Sequence, residues 1–242
     1  LTSAAATLAS STLYTGSYEY NSIGNLLNKT EATTTVGGAN SHSISFDTTS
    51  HQYAYAATSS SLAIIGNFTL EAWVKFASLP ATNKAYTIVA KWGAPTGTGS
   101  SARNAFALWM ENSAGNYDLY FATNNGTTQQ GGSVNWTPTA NTWYHVAVAY
   151  STAGTSTIFI NGAIQGTLSG LSTSINNANV PTYVGQYGEG ISANNGDNYM
   201  NGLVDEVRIY IATRTQSAIQ SDYDKELNGN ESNLKAYWKF NN

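Results

Sequence analysis

Cysteine is absent from the 242 residues. That excludes thiolate metal sites and thiol redox chemistry, and it removes any disulfide signal for the compartment. Charge is nearly as scarce, with Lys, Arg, Asp and Glu together at 10% of the chain, less than half the usual share. Ten scattered basic residues in a chain of net charge −4 do not make the clustered positive footprint that nucleic acid requires. The longest apolar runs, such as Ala105–Met110, are far shorter than a membrane-spanning helix needs, so membrane insertion is not expected. The first residues lack a basic segment followed by an apolar core. The expectation is that no signal peptide is present and that a secreted protein would be in its mature form.

Apolar residues reach 41%, with 16 Tyr and 6 Trp, enough to exclude disorder. Ser, Thr, Asn and Gly must then cover the surface. Such a neutral polar surface suits an extracellular or cell-surface setting, sugar contact and packing against copies of itself. No compositional seam divides the chain. It reads as one domain over residues 14–242 with an N-terminal extension at 1–13.

The clearest pattern lies at residues 142–167. Tyr144, Val146, Val148 and Tyr150 alternate with Trp143, His145, Ala147 and Ala149, the period of a strand. A break at Ser151–Gly154 lets the chain reverse. Ser156, Ile158 and Ile160 then alternate with Thr155, Thr157 and Phe159 up to Asn161-Gly162. That pair suits a two-residue hairpin turn, in which both central positions need φ > 0. Three antiparallel strands in this stretch form the middle of a sheet.

Trp-Tyr-His-Val-Ala followed by Ile-Phe-Ile-Asn-Gly resembles the W-x-H-V-A … Y-x-D-G hairpin of laminin-G-like domains in the concanavalin A-like lectin/glucanase superfamily. Three further stretches agree in order: Ser45-Phe46-Asp47 running to Tyr53, Phe68–Lys75 (F-T-x-E-A-W-V), and Gly202–Tyr210 (G-x-I-D-E-V-R-I-Y). The resemblance extends over roughly residues 18–240. The resemblance implies an all-β, antiparallel jelly-roll β-sandwich. It leaves function open, because this scaffold carries lectins, adhesins, glycanases and assembly subunits.

Further strands are predicted near Ser43–Asp47, Tyr53–Ala56, Tyr86–Trp92, Thr182–Gln186 and Leu234–Phe240, with a hairpin of Asn104–Met110 and Tyr117–Ala122. Ser217-Ala-Ile-Gln220 has capping-box spacing and predicts one short helix ending near Tyr223. The uncharged segment 1–13 is expected to dock, either as an edge strand on its own domain or as a strand donated to a neighbouring copy.

The chemistry-bearing residues argue against an enzyme. Glycanases of the superfamily carry E-x-D-x-E on a strand, and the nearest match, Asp222–Glu226, falls at the predicted helix end as a solvated acidic run. Asp205 and Glu206 are adjacent, so on a regular strand they point to opposite faces. His145 lies in an apolar strand without an acidic neighbour in sequence and reads as a core or hydrogen-bonded histidine. The resemblance also implies a structural Ca²⁺, with Asp47 and Asp205 as ligands. The family's acidic pair is His51-Gln52 here and Asn21 replaces another Asp, which would weaken such a site. A carbohydrate site combines an aromatic platform with amide and carboxylate groups. Trp92, Tyr187, Asn195, Asp197 and Tyr199 supply those types beside two Gly-rich loops. Trp73, Trp109, Trp143 and Trp238 lie within strands and read as core.

The expected function is a non-catalytic recognition module that binds a glycan or cell-surface polysaccharide. The alternative is a structural subunit of an extracellular filament or surface polymer, joined to copies of itself through residues 1–13.

Overall fold

In the computed structural model, residues 17–20, 26–30, 42–93, 103–188 and 198–241 are described. The 1–13 extension, and with it the docked or donated strand, lies outside them. In chain order the strands are β1 (Ser17–Tyr20), β2 (Leu26–Thr30), β3 (Ile44–Phe46), β4 (Ala54–Ala56), β5 (Phe68–Phe76), β6 (Lys84–Trp92), β7 (Asn104–Ser113) and β8 (Asn116–Asn124). They continue as β9 (Gln129–Asn135), β10 (Tyr144–Ser151), β11 (Thr155–Ile160), β12 (Ala163–Ser169), β13 (Thr182–Val184), β14 (Gly202–Tyr210) and β15 (Leu234–Trp238), with helix α1 (Gln216–Gln220) between the last two.

The central hairpin forms as its pattern predicts. Asn161 and Gly162 have φ of 50° and 73°, the left-handed pair that lets β11 turn tightly into β12. Asn161 also fastens the turn to β10, because its side-chain oxygen accepts from His145 N and its own N–H donates to His145 O, both at 2.8 Å.

Two antiparallel sheets result. One runs β12-β11-β10-β5-β14-β15, with β3 also pairing with β14; the other runs β4-β13-β6-β7-β8-β9. β1 and β2 pair as a separate two-stranded ribbon. The alternation of each strand decides what lies between the sheets. Leu70, Val74, Val146, Val148, Val204 and Ile209 from the first meet Ile88, Phe106, Leu108, Leu119 and Phe121 from the second, all fully buried. Phe68 sits at the centre, its ring 4.8 Å from that of Phe106 and 5.1 Å from that of Tyr150. Each such side chain contributes about 1.5–3 kcal/mol through burial.

Three local expectations need correction. The helix is capped by Thr215, whose hydroxyl accepts from Ala218 N at 3.2 Å, so the capping box built on Ser217 does not form. Gln216 and Gln220 instead both donate to Gly162 O, at 3.1 and 2.9 Å, tying the helix to the hairpin turn. β9 (Gln-Gln-Gly-Gly-Ser-Val-Asn) has no apolar alternation and is not predicted. It forms because β8 offers a ladder along its whole length. Finally, Asp205 and Glu206 do not point to opposite faces. A bulge sets Asp205–Arg208 of β14 against Trp73–Glu71 of β5, with Glu206 at φ 50°. Val204 and Val207 both face the core, so both carboxylates lie on the outer side.

Candidate functional site

The two sheets have outer faces of different character. On the first sheet, alternation places Glu71, Trp73, His145, Ala147, Ala149, Phe159 and Arg208 outward, but this face is covered. Ile219 of α1 packs on Ala147, Ala149 and Phe159, and the ring of Tyr223 stacks on Trp73 and lies 5.4 Å from His145. Beneath them is a buried polar network. Glu71, with no solvent exposure, receives Arg214 at 2.6 Å, His145 at 3.3 Å and Arg208 at 3.9 Å. Arg214 also grips Asp222 at 2.7 Å, and Arg208 grips Glu206 at 2.7 Å. Glu206 accepts from the Tyr237 hydroxyl as well. Asp222 is therefore an ion-pair partner that holds the segment after α1 to the sheet, and only part of the 222–226 run is solvated. Burial by itself would raise the Glu71 carboxyl; His145 and Arg214 more than offset it and hold the group below its ordinary range.

The outer face of the second sheet is aromatic. Strand register sets up one transverse row across all six strands: Tyr55, Tyr183, Ala90, Ala107, Ala122 and Gly131. The next row is Thr87, Trp109, Tyr120 and Ser133. Small residues in the first row form a floor on which large rings lie. Trp109 stacks on Tyr120 at 4.4 Å and 16°, and Tyr187 meets Trp109 edge-on at 5.4 Å and Trp92 at 5.4 Å. Gly131 is required here, since a Cβ would lie 2.6 Å from Tyr120 Cε1. Gly188 is required too, because its Cβ would lie 2.0 Å from Trp92 O. That close approach brings Tyr187 over Trp92.

Trp92 and Trp109 are almost fully buried, whereas Tyr120 and Tyr187 keep part of their rings in solvent. The polar groups beside them are Glu111, which accepts from Trp109 Nε1 at 2.7 Å, and Asp118, directly opposite Glu111 on β8. Gln186 donates to Gly188 O and to the Tyr199 hydroxyl. Burial first, then the charge of Glu111, pushes the Tyr120 phenol up. Tyr187 is also raised, by burial and then by Tyr120 and Glu111. Both phenols stay protonated as hydrogen-bond donors.

Of the residues singled out in the sequence, Trp92 and Tyr187 come together, and Tyr199 joins them through Gln186. Asn195 and Asp197 lie outside the described residues. Trp109, assigned to the core as a strand residue, belongs to the outer face; its odd-numbered register with Ala107 and Glu111 was the available signal. Tyr120, within the predicted Tyr117–Ala122 strand, lies opposite Trp109 on the same outer face.

The two carboxylates implied for Ca²⁺ do not converge. Ile44 pairs with Val204 and Phe46 with Gly202, so Asp47 and Asp205 lie beyond opposite ends of the β3–β14 ladder. Asp47 caps its own turn, accepting from Thr49 N and Oγ1 at 2.8 Å and from Ser50 Oγ at 3.1 Å. Asp205 accepts from Glu206 N at 2.8 Å within the bulge. Among the described residues no group of three His, Cys, Asp or Glu side chains is placed to hold a metal ion. A shared Ca²⁺ site on Asp47 and Asp205 does not fit this arrangement.

The described residues thus form a two-sheet sandwich with one outer face covered by α1 and the other lined by aromatic rings, and the sequence family agrees with that fold. Residues 47–220 match the laminin G family, and the chain belongs to the concanavalin A-like lectin/glucanases superfamily. No curated protein matches the chain. Among solved structures, a candidate carbohydrate-binding protein from Bacteroides ovatus is similar at a TM-score of 0.62 and 18% identity, over 81% of this chain and 50% of its own. The receptor-binding domain of a botulinum neurotoxin C/D mosaic serotype aligns at 0.56 and 12% identity, over 91% of this chain and 46% of its own. A heptameric pentraxin from Limulus polyphemus aligns at 0.50 and 18% identity, over 69% and 73%. The chain thus spans half of the first of these proteins and under half of the second. These likenesses establish the shared fold.

Proposed function

We propose that the protein is a non-catalytic recognition module that binds glycan on the outer face of its six-stranded sheet. The observation that carries this reading is the layer of Trp92, Tyr187, Trp109 and Tyr120 on an alanine floor. There the partly exposed Tyr120 and Tyr187 rings offer apolar faces to sugar C–H groups, and their hydroxyls, Glu111 and Gln186 offer hydrogen bonds. The other sheet supports the same choice, because its outer face is closed by α1 and Tyr223. Its carboxylates Glu71 and Glu206 are tied to guanidinium groups, away from any acid–base role. A cell-surface setting fits the sparsely charged, aromatic-rich surface.

A glycan panel with and without Ca²⁺ tests the reading, using wild type beside Tyr187→Ala and Tyr120→Ala. Binding that weakens at least tenfold in either variant, with the fold retained by circular dichroism, supports it. Failure of every glycan, or binding indifferent to both substitutions, removes it. Incubation of bound glycans in a reducing-sugar assay tests the non-catalytic part. Glu111 and Asp118 are the acidic pair on this face, and glycosidases need two such groups about 5–10 Å apart. Release of reducing ends would overturn that part alone.

A further inference from the structure

The aromatic surface does not stop at Tyr187. At the other side of the same sheet Tyr53, Tyr55 and Tyr183 form a second group. Tyr53 lies 6.2 Å from Tyr55, 5.8 Å from Tyr183 and 6.3 Å from Tyr199. Tyr53, Tyr55 and Tyr199 are each partly exposed. Register fixes their place: Tyr183 is opposite both Tyr55 and Ala90, so this group and the Trp109–Tyr120 stack share one face and flank the alanine floor. Tyr55 on β4 and Tyr120 on β8 are four strands apart in the sheet order. At ~4.8 Å per strand, the two groups are separated by about 19 Å. A single sugar ring cannot bridge that distance, whereas an extended oligosaccharide laid across the strands touches both.

The charge of the face is equally selective. On the outward positions of β4, β6, β7, β8, β9 and β13, the charged side chains are Glu111 and Asp118, both acidic and facing each other across β7 and β8. The lysines of β6 are turned elsewhere: Lys91 is buried with its ammonium on Val180 O at 2.7 Å, and Lys84 shares the inward register of Tyr86. A carboxylated or sulfated polymer crossing this face would meet like charge without a guanidinium or ammonium partner among the described outward strand residues, which costs affinity.

Building on the glycan-binding reading, we infer that the face takes an extended, uncharged polysaccharide, engaging Tyr53 and Tyr55 at one end and Tyr120 at the other. Polyanionic glycans are excluded. The test is titration calorimetry at low salt with neutral hexasaccharides built from glucose, mannose, xylose and N-acetylglucosamine, the matching disaccharides, and hexasaccharides of galacturonate and heparin. Proteins are the wild type, Tyr53→Ala, Tyr120→Ala and the double substitution.

A neutral hexasaccharide should bind at least about tenfold more tightly than its disaccharide, and either single substitution should weaken it by about tenfold, as removal of an aromatic anchor does. Disaccharide binding, where measurable, should respond to only one of the two substitutions. Equal affinity for disaccharide and hexasaccharide, or anionic hexasaccharides binding as well as neutral ones in a Tyr120-dependent way, overturns this inference and leaves the glycan-binding reading intact. No binding by any saccharide overturns both.

Discussion

Glu71 and His145 sit diagonally across β5 and β10, with carboxylate and imidazole 3.3 Å apart and both side chains shut off from water. The pairing is not visible from chain order, since 74 positions separate the two residues. The contact exists because β10 runs antiparallel beside β5 with His145 opposite Trp73 and Ala147 opposite Glu71. Arg208 and Arg214 then complete a network that fixes the C-terminal segment onto the sheet.

Removing one partner from this network should be costly. Glu71→Gln leaves Arg214 and Arg208 short of a buried counter-charge, and a loss of about 3–5 kcal/mol is expected. Urea unfolding at neutral pH measures it. A change under about 1 kcal/mol would mean the network contributes little.

The same residue sets a pH dependence. The folded Glu71 carboxyl is held below its ordinary value of 4.5, so the unfolded chain takes up its proton first as pH falls. The stabilisation is fully present above 4.5 and is lost as pH drops toward the folded value. The stability gap between wild type and Glu71→Gln should therefore narrow below pH 4.5. A gap that stays constant down to acid unfolding would contradict this.

Lys91 predicts the opposite sign. Burial pushes its ammonium down from 10.5 to about 8, and Val180 O is the acceptor that receives it. The charged form costs stability in full below pH 8, and the cost fades between 8 and 10.5 as the folded state gives up its proton first. Lys91→Met should raise neutral-pH stability by about 1–3 kcal/mol. Its advantage over wild type should shrink across that interval when unfolding is followed at stepped pH.

Gly131 lies under the Tyr120 ring, where a Cβ would come within 2.6 Å of Cε1 and 2.9 Å of Phe121 O. Gly131→Val should lift the ring off the alanine floor, cost about 1–3 kcal/mol and weaken glycan binding in parallel with Tyr120→Ala. Unchanged binding in a folded Gly131→Val protein would detach Tyr120 from the site.

Much of the sandwich was legible in the sequence because strand alternation is a local property. Tyr144 to Tyr150 and Phe68 to Phe76 declare their inner and outer faces without reference to any partner, and Asn161-Gly162 declares its turn through φ alone. β9 was not legible, since Gln129–Asn135 carries no alternation and Val134 as its one β-branched residue, and it owes its conformation to the edge of β8. The Glu206 bulge was hidden for a related reason. A left-handed φ at a non-glycine residue is imposed by pairing on both sides of β14, and it overrides the alternation that Asp205-Glu206 displays in sequence.

The candidate site divides along the same line. Residue type alone marked Trp92, Tyr187 and Tyr199 as platform material. It misassigned Trp109 and did not single out Tyr120, because a strand aromatic faces the core or the solvent according to which sheet covers it. By itself the sequence determined the alternation, the central turn, the family and the scarcity of charge, all of them fixed by near neighbours or composition. Only tertiary structure decided which outer face is sealed, which rings share the open one, and which carboxylates are neutralised, because these depend on registers between strands far apart in the chain.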